Sequence, residues 1–377
     1  MLQYLSMTEI ELGYLIALTR APQLGAVRIK RLYDVFRSYE QIFKSNETEL
    51  SQTGLSPKVI NGFINIRPSL HPEKELASLE KFHVQAITLE DPSYPCLLKQ
   101  IYDPPVVLFV EGTVPKPNDR LLAVVGTRHP SSYGKQVVTT LVKDLIKENL
   151  VIVSGLAYGI DALAHQTTCQ HQGKTIAILG SGINREVLYP KEHTRLADQI
   201  VQNGGALISE FALDTSARKH FFPFRNRIIA GLCQAVLIIE AAQKSGSLIT
   251  AHCALESNRD VFAIPGSIFS PLSLGPHNLI KMGAQLIGSS SDIFAAFGIE
   301  KQTTDIKIIN QTKKIIEPPQ NSTQATIFAI LNTEPIHIDE IVQTTSMELS
   351  LITSTLMLME MNGIIRHVGG MYYVRGI

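Results

Sequence analysis

Net charge is the first thing that this sequence lacks. Its 34 Lys and Arg residues are balanced by 34 Asp and Glu residues, which excludes a surface that is basic throughout. A polyanionic partner would therefore need a local cluster of positive charge. Cysteine is also scarce, because only four residues occur and none forms a CxxC pair. This pattern indicates reduced, structural thiols in a cytoplasmic protein.

Several motifs are missing as well. No apolar run reaches the length of a membrane span, and residues 1–11 lack the basic region of a secretion signal. No GxxxxGK[ST] loop occurs, which argues against ATP hydrolysis of that type. Gly180-Ser181-Gly182 begins like a dinucleotide fingerprint, but Arg185 stands where the third glycine belongs. We therefore expect neither NAD nor another cofactor.

The rhythm of apolar residues changes along the chain and predicts three domains and one linker. Residues 1–82 place apolar side chains at helical spacing, which predicts an all-helical domain. Residues 83–298 alternate short β-branched runs with helical stretches, as in a parallel, doubly wound α/β sheet. The predicted strands are at 121–125, 151–153, 175–179, 206–209, 235–239 and 261–264, with an extra strand at 106–110. Residues 299–320 lose this periodicity and end in Pro-Pro, which indicates a linker. Residues 321–377 predict helices followed by a β-hairpin, the order of a winged helix.

Two segments offer competing interpretations of how charge is used. The turn at 21–28 leads into a helix that carries Arg28, Lys30 and Arg31, and such a helix-hairpin-helix turn can grip phosphates. A plain packing turn is favoured, because this domain has balanced charge. The tail has two strong bases, Arg366 and Arg375, against five acidic residues, and its predicted third helix has no basic residue. We expect this winged helix to bind protein or to pack, since phosphates would repel it.

The unusual motifs follow the ends of predicted strands, where ligands bind in a doubly wound sheet. Small residues let the backbone approach a ligand closely, and helix N-termini present N–H groups to anions. Their convergence on one rim of the sheet predicts a binding site. The motifs, in order after successive strands, are Gly126-Thr127-Arg128, residues 154–161 with Ser154, Gly155 and Gly159, Gly180-Ser181-Gly182, the Phe221–Arg227 loop, and residues 245–250 with Ser247.

The loop Phe-Phe-Pro-Phe-Arg-Asn-Arg (residues 221–227) carries the most informative chemistry. Arg225 and Arg227 can match phosphate oxygens in pairs, and Asn226 lies between them. Phe221, Phe222 or Phe224 can support a base, and at least one of the three is expected in the core. The loop thus indicates nucleic acid, and single strands in particular. The alternative is a helix start with buried aromatic rings and surface charge. Arg227 can also brace the loop against an acid at a strand end.

Catalytic and metal sites are weighed on the same rim. Ser154, Asp161 and His165 contain the residue types of a hydrolytic triad, but helix capping and a local Asp–His contact are favoured. Glu210 and Glu240 are candidate general bases that, as strand-end acids, more often tether a neighbouring loop. His165 and Cys169 share a helical face, but two ligands do not make a zinc site.

Taken together, the motifs closely resemble the DNA-processing protein A (DprA, or Smf) family. The quoted segments at 124–128, 154–165, 176–182, 222–232 and 245–251 occur in that family's order, with Tyr189-Pro190 and Ile264-Pro265-Gly266 among them. The resemblance implies a SAM-like domain, an extended Rossmann-like domain and a winged helix. It implies a non-catalytic binder of single-stranded DNA that protects strands in natural transformation, loads RecA recombinase and forms a homodimer through the Rossmann-like domain.

The resemblance also assigns the DNA pocket residue by residue. It implies contacts from Gly126, Thr127 and Arg128, from Ser154, Gly155 and Gly159, from the loop after the third central strand, and from the segment 224–227. Apart from the resemblance, the N–H groups near Gly155 and Ser247 would add oriented dipoles. The chain has Thr127 where the family commonly has Ser, and Lys191-Glu192-His193 where an Asn is usual at the third position. The alternative is a nucleotide hydrolase of the lysine-decarboxylase-like group. The corresponding junction at 245–252 lacks that group's glutamate, which argues against it.

Overall fold

β-branched and aliphatic runs, each about four to six residues long, build the centre of the molecule. The computed structural model describes residues 7–299, 322–332, 335–362 and 364–375. Two compact units divide the chain, Met1–Ile299 and Glu300–Ile377. The predicted linker falls almost entirely outside the described residues, and the predicted boundary between residues 82 and 83 stays a prediction.

The first unit begins with six helices that share one apolar core. Leu15, Ile16 and Leu18 of the first helix are buried, as are Ile60 and Phe63 of the fifth, at the spacing that predicted these helices. The helices are α1 (Glu9–Thr19), α2 (Ala26–Phe36), α3 (Tyr39–Lys44), α4 (Glu47–Ser51), α5 (Pro57–Ile66) and α6 (Pro72–Phe82).

A nine-stranded sheet follows, with helices between its strands. Its strands are β1 (Gln85–Thr88), β2 (Val107–Gly112), β3 (Arg120–Val125), β4 (Leu150–Ser154), β5 (Thr175–Ile178), β6 (Ala206–Ser209), β7 (Ala235–Ile238), β8 (Asp260–Ala263) and β9 (Gln285–Leu286). The helices are α7 (Cys96–Lys99), α8 (Ser132–Lys147), α9 (Ile160–Gln170), α10 (Thr194–Gln202), α11 (Phe221–Leu232), α12 (Ser247–Glu256), α13 (Leu274–Lys281) and α14 (Ser290–Ala296).

The strand order is β1-β2-β6-β5-β4-β3-β7-β8-β9. Seven neighbouring strands run parallel, namely β6, β5, β4, β3, β7, β8 and β9. In contrast, β2 pairs antiparallel with β6, and β1 pairs antiparallel with β2. The predicted doubly wound parallel sheet is therefore confirmed, with an antiparallel extension at one edge. Because β3 lies between β4 and β7, the chain reverses its direction of winding there, and a crevice opens beyond the strand ends.

The second unit has the helix and strand order of a winged helix. It contains α15 (Ser322–Ile330), β10 (Ile336–His337), α16 (Ile338–Thr345), α17 (Leu349–Met361), β11 (Ile365–Gly369) and β12 (Tyr372–Arg375). Ile352, Leu356 and Met359 of α17 are fully buried against the other helices, while Leu349 is half exposed. Among the described residues of both units, no helix combines the length and apolar character needed to cross a bilayer.

Candidate nucleic-acid interface

A cavity of about 500 Å³ lies at the crevice beyond the carboxyl ends of the parallel strands. We call it the switch-point cavity and define it by the residues that line it, which come from the segments after β3, β4, β5 and β7, from the entry and first turns of α11, and from the start of α12. Five of the predicted site residues line this cavity. They are Gly126, Arg128, Arg225, Asn226 and Ser247.

The loop after β3 is held by close backbone packing. The Thr127 N–H donates to the Glu240 carbonyl over 2.7 Å, and the Thr127 carbonyl accepts from Ile160 N–H. Gly159 has φ of +79°, and a Cβ there would lie 2.4 Å from the Thr127 carbonyl oxygen. Glycine is therefore required at 159 to seat the loop that presents Arg128. Thr127 and Gly159 shape the cavity without lining it.

The loop after β4 serves as a frame. Ser154 is fully buried, and its hydroxyl donates to the Val124 carbonyl over 2.7 Å. The Gly155 N–H donates to Asp161 Oδ2 over 3.1 Å, so its amide is already engaged. The structure thus places Ser154 and Gly155 behind the cavity, where they join β4 to β3 and to α9. Their predicted DNA contact stays a prediction.

Arg225 is buried, contrary to the exposed position expected for a phosphate contact. Its side chain donates to the carbonyls of Gly155, over 2.8 Å, and of Ile178. A Cβ on Gly155 would lie 2.4 Å from the Arg225 guanidinium, so glycine makes room for it. Burial lowers the pKa of Arg225 to about 10, against the opposing effect of Asp161, and the group stays charged at neutral pH. Arg225 therefore ties α11 to two strand-end loops.

Arg227 lies outside the switch-point cavity and is paired with acids. Its guanidinium donates to Glu210, at the end of β6, and also approaches Asp103. This geometry agrees with the alternative interpretation, in which Arg227 holds its loop against an acid at the end of a strand. Burial raises the pKa of Glu210 to about 7, although Arg227 opposes the shift. The Phe224 ring covers the Arg227 guanidinium at 4.2 Å and is itself 46% exposed.

Two cations remain available to a ligand in the switch-point cavity. Arg128 and Lys219 are exposed, line the cavity and form no ion pair with any residue in the described ranges. The Arg128 guanidinium lies 5.9 Å from the centre of the Phe222 ring, which in turn packs against Tyr189. The site therefore combines unpaired positive charge with two aromatic rings, which suits a flexible polyanion that carries bases.

The start of α12 completes the opposite wall of the cavity. Ser247 begins this helix, and its hydroxyl bonds to Ser245 over 2.8 Å. Asn226 donates from its amide to the Gly246 carbonyl over 3.3 Å, which joins α11 to this wall. A helix N-terminus carries partial positive charge and adds to that of Arg128 and Lys219.

Lys219 and Tyr189 were not among the site residues predicted from the sequence. Lys219 follows Arg218 in a basic segment, but its position at the cavity depends on how the chain enters α11. Tyr189 follows the third central strand at a distance, and only the fold brings it to Phe222. The available signal was chemical type, since lysine and aromatic residues were the types expected at a single-strand site.

The candidate catalytic groups are engaged with separate partners. Ser154 bonds to a backbone carbonyl, Asp161 accepts from Gly155, and His165 Nδ1 bonds to the Thr175 hydroxyl over 2.7 Å. Burial lowers the pKa of His165 to about 3, so this ring stays neutral. Glu240 accepts from Ser131 and tethers the loop before α8. Within the described residues, no group of three His, Cys, Asp or Glu side chains is arranged to hold a metal ion.

Fold and site together define a Rossmann-like protein with a cationic, aromatic cavity at the switch point of its sheet. Residues 85–298 match the family model described as DNA recombination-mediator protein A, and residues 312–371 match the DprA winged helix domain. The chain belongs to this DNA recombination-mediator family, as its resemblance to DprA/Smf proteins indicated.

Curated relatives and solved structures agree with this assignment. Protein Smf of Synechocystis sp. is 34% identical over 98% of this chain and 100% of its own length. DNA processing protein DprA of Streptococcus pneumoniae is 46% identical over 60% of this chain and 77% of its own. The X-ray structure of the latter covers 77% of this chain and 98% of its own, with 37% identity and a TM-score of 0.63.

A further solved structure concerns the single-stranded DNA binding mode of DNA processing protein A from Helicobacter pylori. It covers 57% of this chain and 97% of its own chain, with 30% identity and a TM-score of 0.50. The fold of the first unit is therefore shared with proteins of this family.

Proposed function

We propose that this chain binds single-stranded DNA in the switch-point cavity and acts as a recombination mediator without catalytic activity. The observation that carries the proposal is that cations without an ion-pair partner and aromatic rings line the same cavity. Arg128 and Lys219 are free to neutralise phosphates, and Phe222 and Tyr189 can support a base. The Helicobacter pylori relative, whose structure concerns single-stranded DNA binding, supports this choice of ligand.

We propose two roles for the polar side chains that line the cavity. Arg128, Asn226 and Ser247 line the cavity and are proposed to touch the strand, together with Lys219. Arg225 is proposed to act as a positioning residue, because its guanidinium is committed to backbone carbonyls. In this arrangement the buried arginine fixes α11, and the exposed cations supply the counter-charge.

The finer biological role is also part of the proposal. We infer that the protein works in the cytoplasm, protects incoming strands during natural transformation and loads RecA onto them. Membership of the recombination-mediator family supports this role. A direct test compares RecA filament formation on oligonucleotides covered by a single-strand-binding protein, with and without this chain. Faster filament growth with the chain is expected, and no change would contradict the loading role.

We further propose that two copies associate through the Rossmann-like domain. Ile268 and Phe269, adjacent in the loop after β8, are 76% and 89% exposed and offer apolar contact surface to a second copy. A self-associating surface would cover them. Light scattering after size exclusion should give a dimer for the parent chain and a monomer for Phe269→Asp. A monomeric parent chain would contradict this proposal.

The experiment that tests the binding site uses two single variants and one probe. Arg128→Ala and Lys219→Ala should each weaken binding of a fluorescent oligo-dT by about tenfold or more, because each removes a charge-assisted phosphate contact. Lys174→Ala is a matched control, since this lysine is exposed and lies elsewhere, before β5. Normal binding by both cavity variants would move the site away from the switch point.

A further inference from the structure

A second cavity, of about 710 Å³, lies on the other side of the start of α11. Its walls come from the N-terminal helices, near Arg20 and Ile29, and from the loop between β6 and α11. We call it the lateral cavity. The residues that matter below are Glu210, Phe211, Arg218, Phe221, Phe224 and Arg227, all of which line it.

The two cavities share the first turns of α11. Phe222, Asn226 and Lys219 face the switch-point cavity, whereas Phe221 and Phe224 face the lateral one. This division follows from the helical period, since neighbouring residues on a helix project in different directions. Residues of the same helical turns therefore line both cavities.

The lateral cavity is built for flat, apolar groups. The rings of Phe211 and Phe221 are stacked with centroids 4.2 Å apart and planes 24° apart, and Arg218 lies over Phe221. Phe224 rests on the Arg227 guanidinium with nearly half of its surface open. Such a supported and exposed ring is a stacking platform for a base, whatever the sequence.

The charges in the lateral cavity are already balanced, unlike those in the switch-point cavity. Arg20 is paired with Glu75 and Asp214, and Arg227 is paired with Glu210 and Asp103. Phosphate groups therefore find little free positive charge there apart from Arg218. The chemistry of this cavity suits a base more than a backbone.

We propose that the lateral cavity takes a nucleobase of the same DNA strand whose phosphates occupy the switch-point cavity, with Phe224 as its stacking platform. This inference rests on the proposed function. It adds a second base position: the unpaired cations and the rings of the switch-point cavity hold the strand on one side of α11, and the rings of the lateral cavity hold a further base on the other.

The test separates base stacking from phosphate contact by salt dependence. Phe224→Ala should weaken oligo-dT binding roughly 5- to 100-fold, the range for loss of one stacked base, and leave the slope of log affinity against log salt unchanged. Arg128→Ala should instead reduce that slope by about 0.7. Phe224→Trp should restore affinity. Phe82→Ala is the matched control, because Phe82 is 41% exposed and also lies beside a cation, Lys81, outside the cavity.

A second arm replaces bases of the oligonucleotide with abasic sites. The parent chain should lose affinity for the abasic strand, and Phe224→Ala should show a smaller loss, because its stacking partner is already gone. If Phe224→Ala binds like the parent chain while Arg128→Ala is weak, the lateral cavity holds no base and the proposed function survives. If the parent chain itself does not bind the strand, the proposed function fails first.

Discussion

Replacement of Arg225 by alanine should destabilise the first unit more than it alters any direct DNA contact. The guanidinium is buried and donates to two backbone carbonyls, those of Gly155 and Ile178, which alanine would leave without this partner. Hydrogen bonds that involve a charged group contribute about 1.5–3 kcal/mol each, so a loss of about 3–6 kcal/mol is expected from two of them. Asp161 would also lose its nearest opposing charge. The melting temperature should fall by on the order of 10 °C.

The assay measures melting temperature and oligo-dT affinity on the same preparations. Arg128→Ala is the control, because this exposed side chain lines the same cavity and should leave the melting temperature within about 2 °C. The two variants should therefore separate, one losing stability and the other losing affinity. If Arg225→Ala keeps the parent melting temperature but loses DNA binding, Arg225 is a direct contact and the burial argument is wrong.

Three further predictions follow from the packing, the ionisation of Glu210 and the tail. Gly155→Ala should lower the melting temperature by several degrees, since its Cβ would lie 2.4 Å from the Arg225 guanidinium, whereas Gly246→Ala should be tolerated because no atom lies within 4 Å of its Cβ. Burial raises the pKa of Glu210 from 4.5 to about 7, so the folded state holds this proton more tightly than the unfolded chain does, and stability falls as pH rises from about 4.5 through 7. Glu210→Gln should remove this pH-dependent loss of stability, so the melting temperature of the variant minus that of the parent should increase from pH 5 to pH 8. A melting-temperature difference that stays constant with pH would exclude the shifted pKa. Deletion of residues 319–377 should leave single-strand affinity within a few-fold, because α17 carries no base, and a hundredfold loss from a folded, dimeric product would make the tail a DNA element.

Most of the central sheet could be predicted because its strands are buried on both faces. β3 to β8 read as continuous aliphatic runs, and the predicted runs overlap every one of them. β1 and β9 were not predicted as strands. β9 has only two residues, both exposed, and β1 is a short edge strand, so neither produces a strong apolar pattern.

The location of the binding site could be predicted more readily than the role of each residue in it. Parallel strands bring their carboxyl ends to one edge, and this rule placed Gly126, Arg128 and Ser247 together. The fate of Arg225 was not visible, because its two carbonyl partners lie 70 and 47 residues away in sequence. Residue type shows that an arginine can bind phosphate, but only the fold shows whether its guanidinium already donates to buried carbonyl groups.

The most direct measurement of the central claim is a paired titration of the intact chain with single-stranded oligo-dT and with a duplex of equal length, over a range of salt. We expect tighter binding of the single strand and a steep loss of affinity with salt, and the slope of log affinity against log salt should be shallower by about 0.7 for Arg128→Ala. Equal affinity for both forms at moderate salt, or an Arg128→Ala variant with the parent slope, would contradict the assignment of the switch-point cavity to single-stranded DNA.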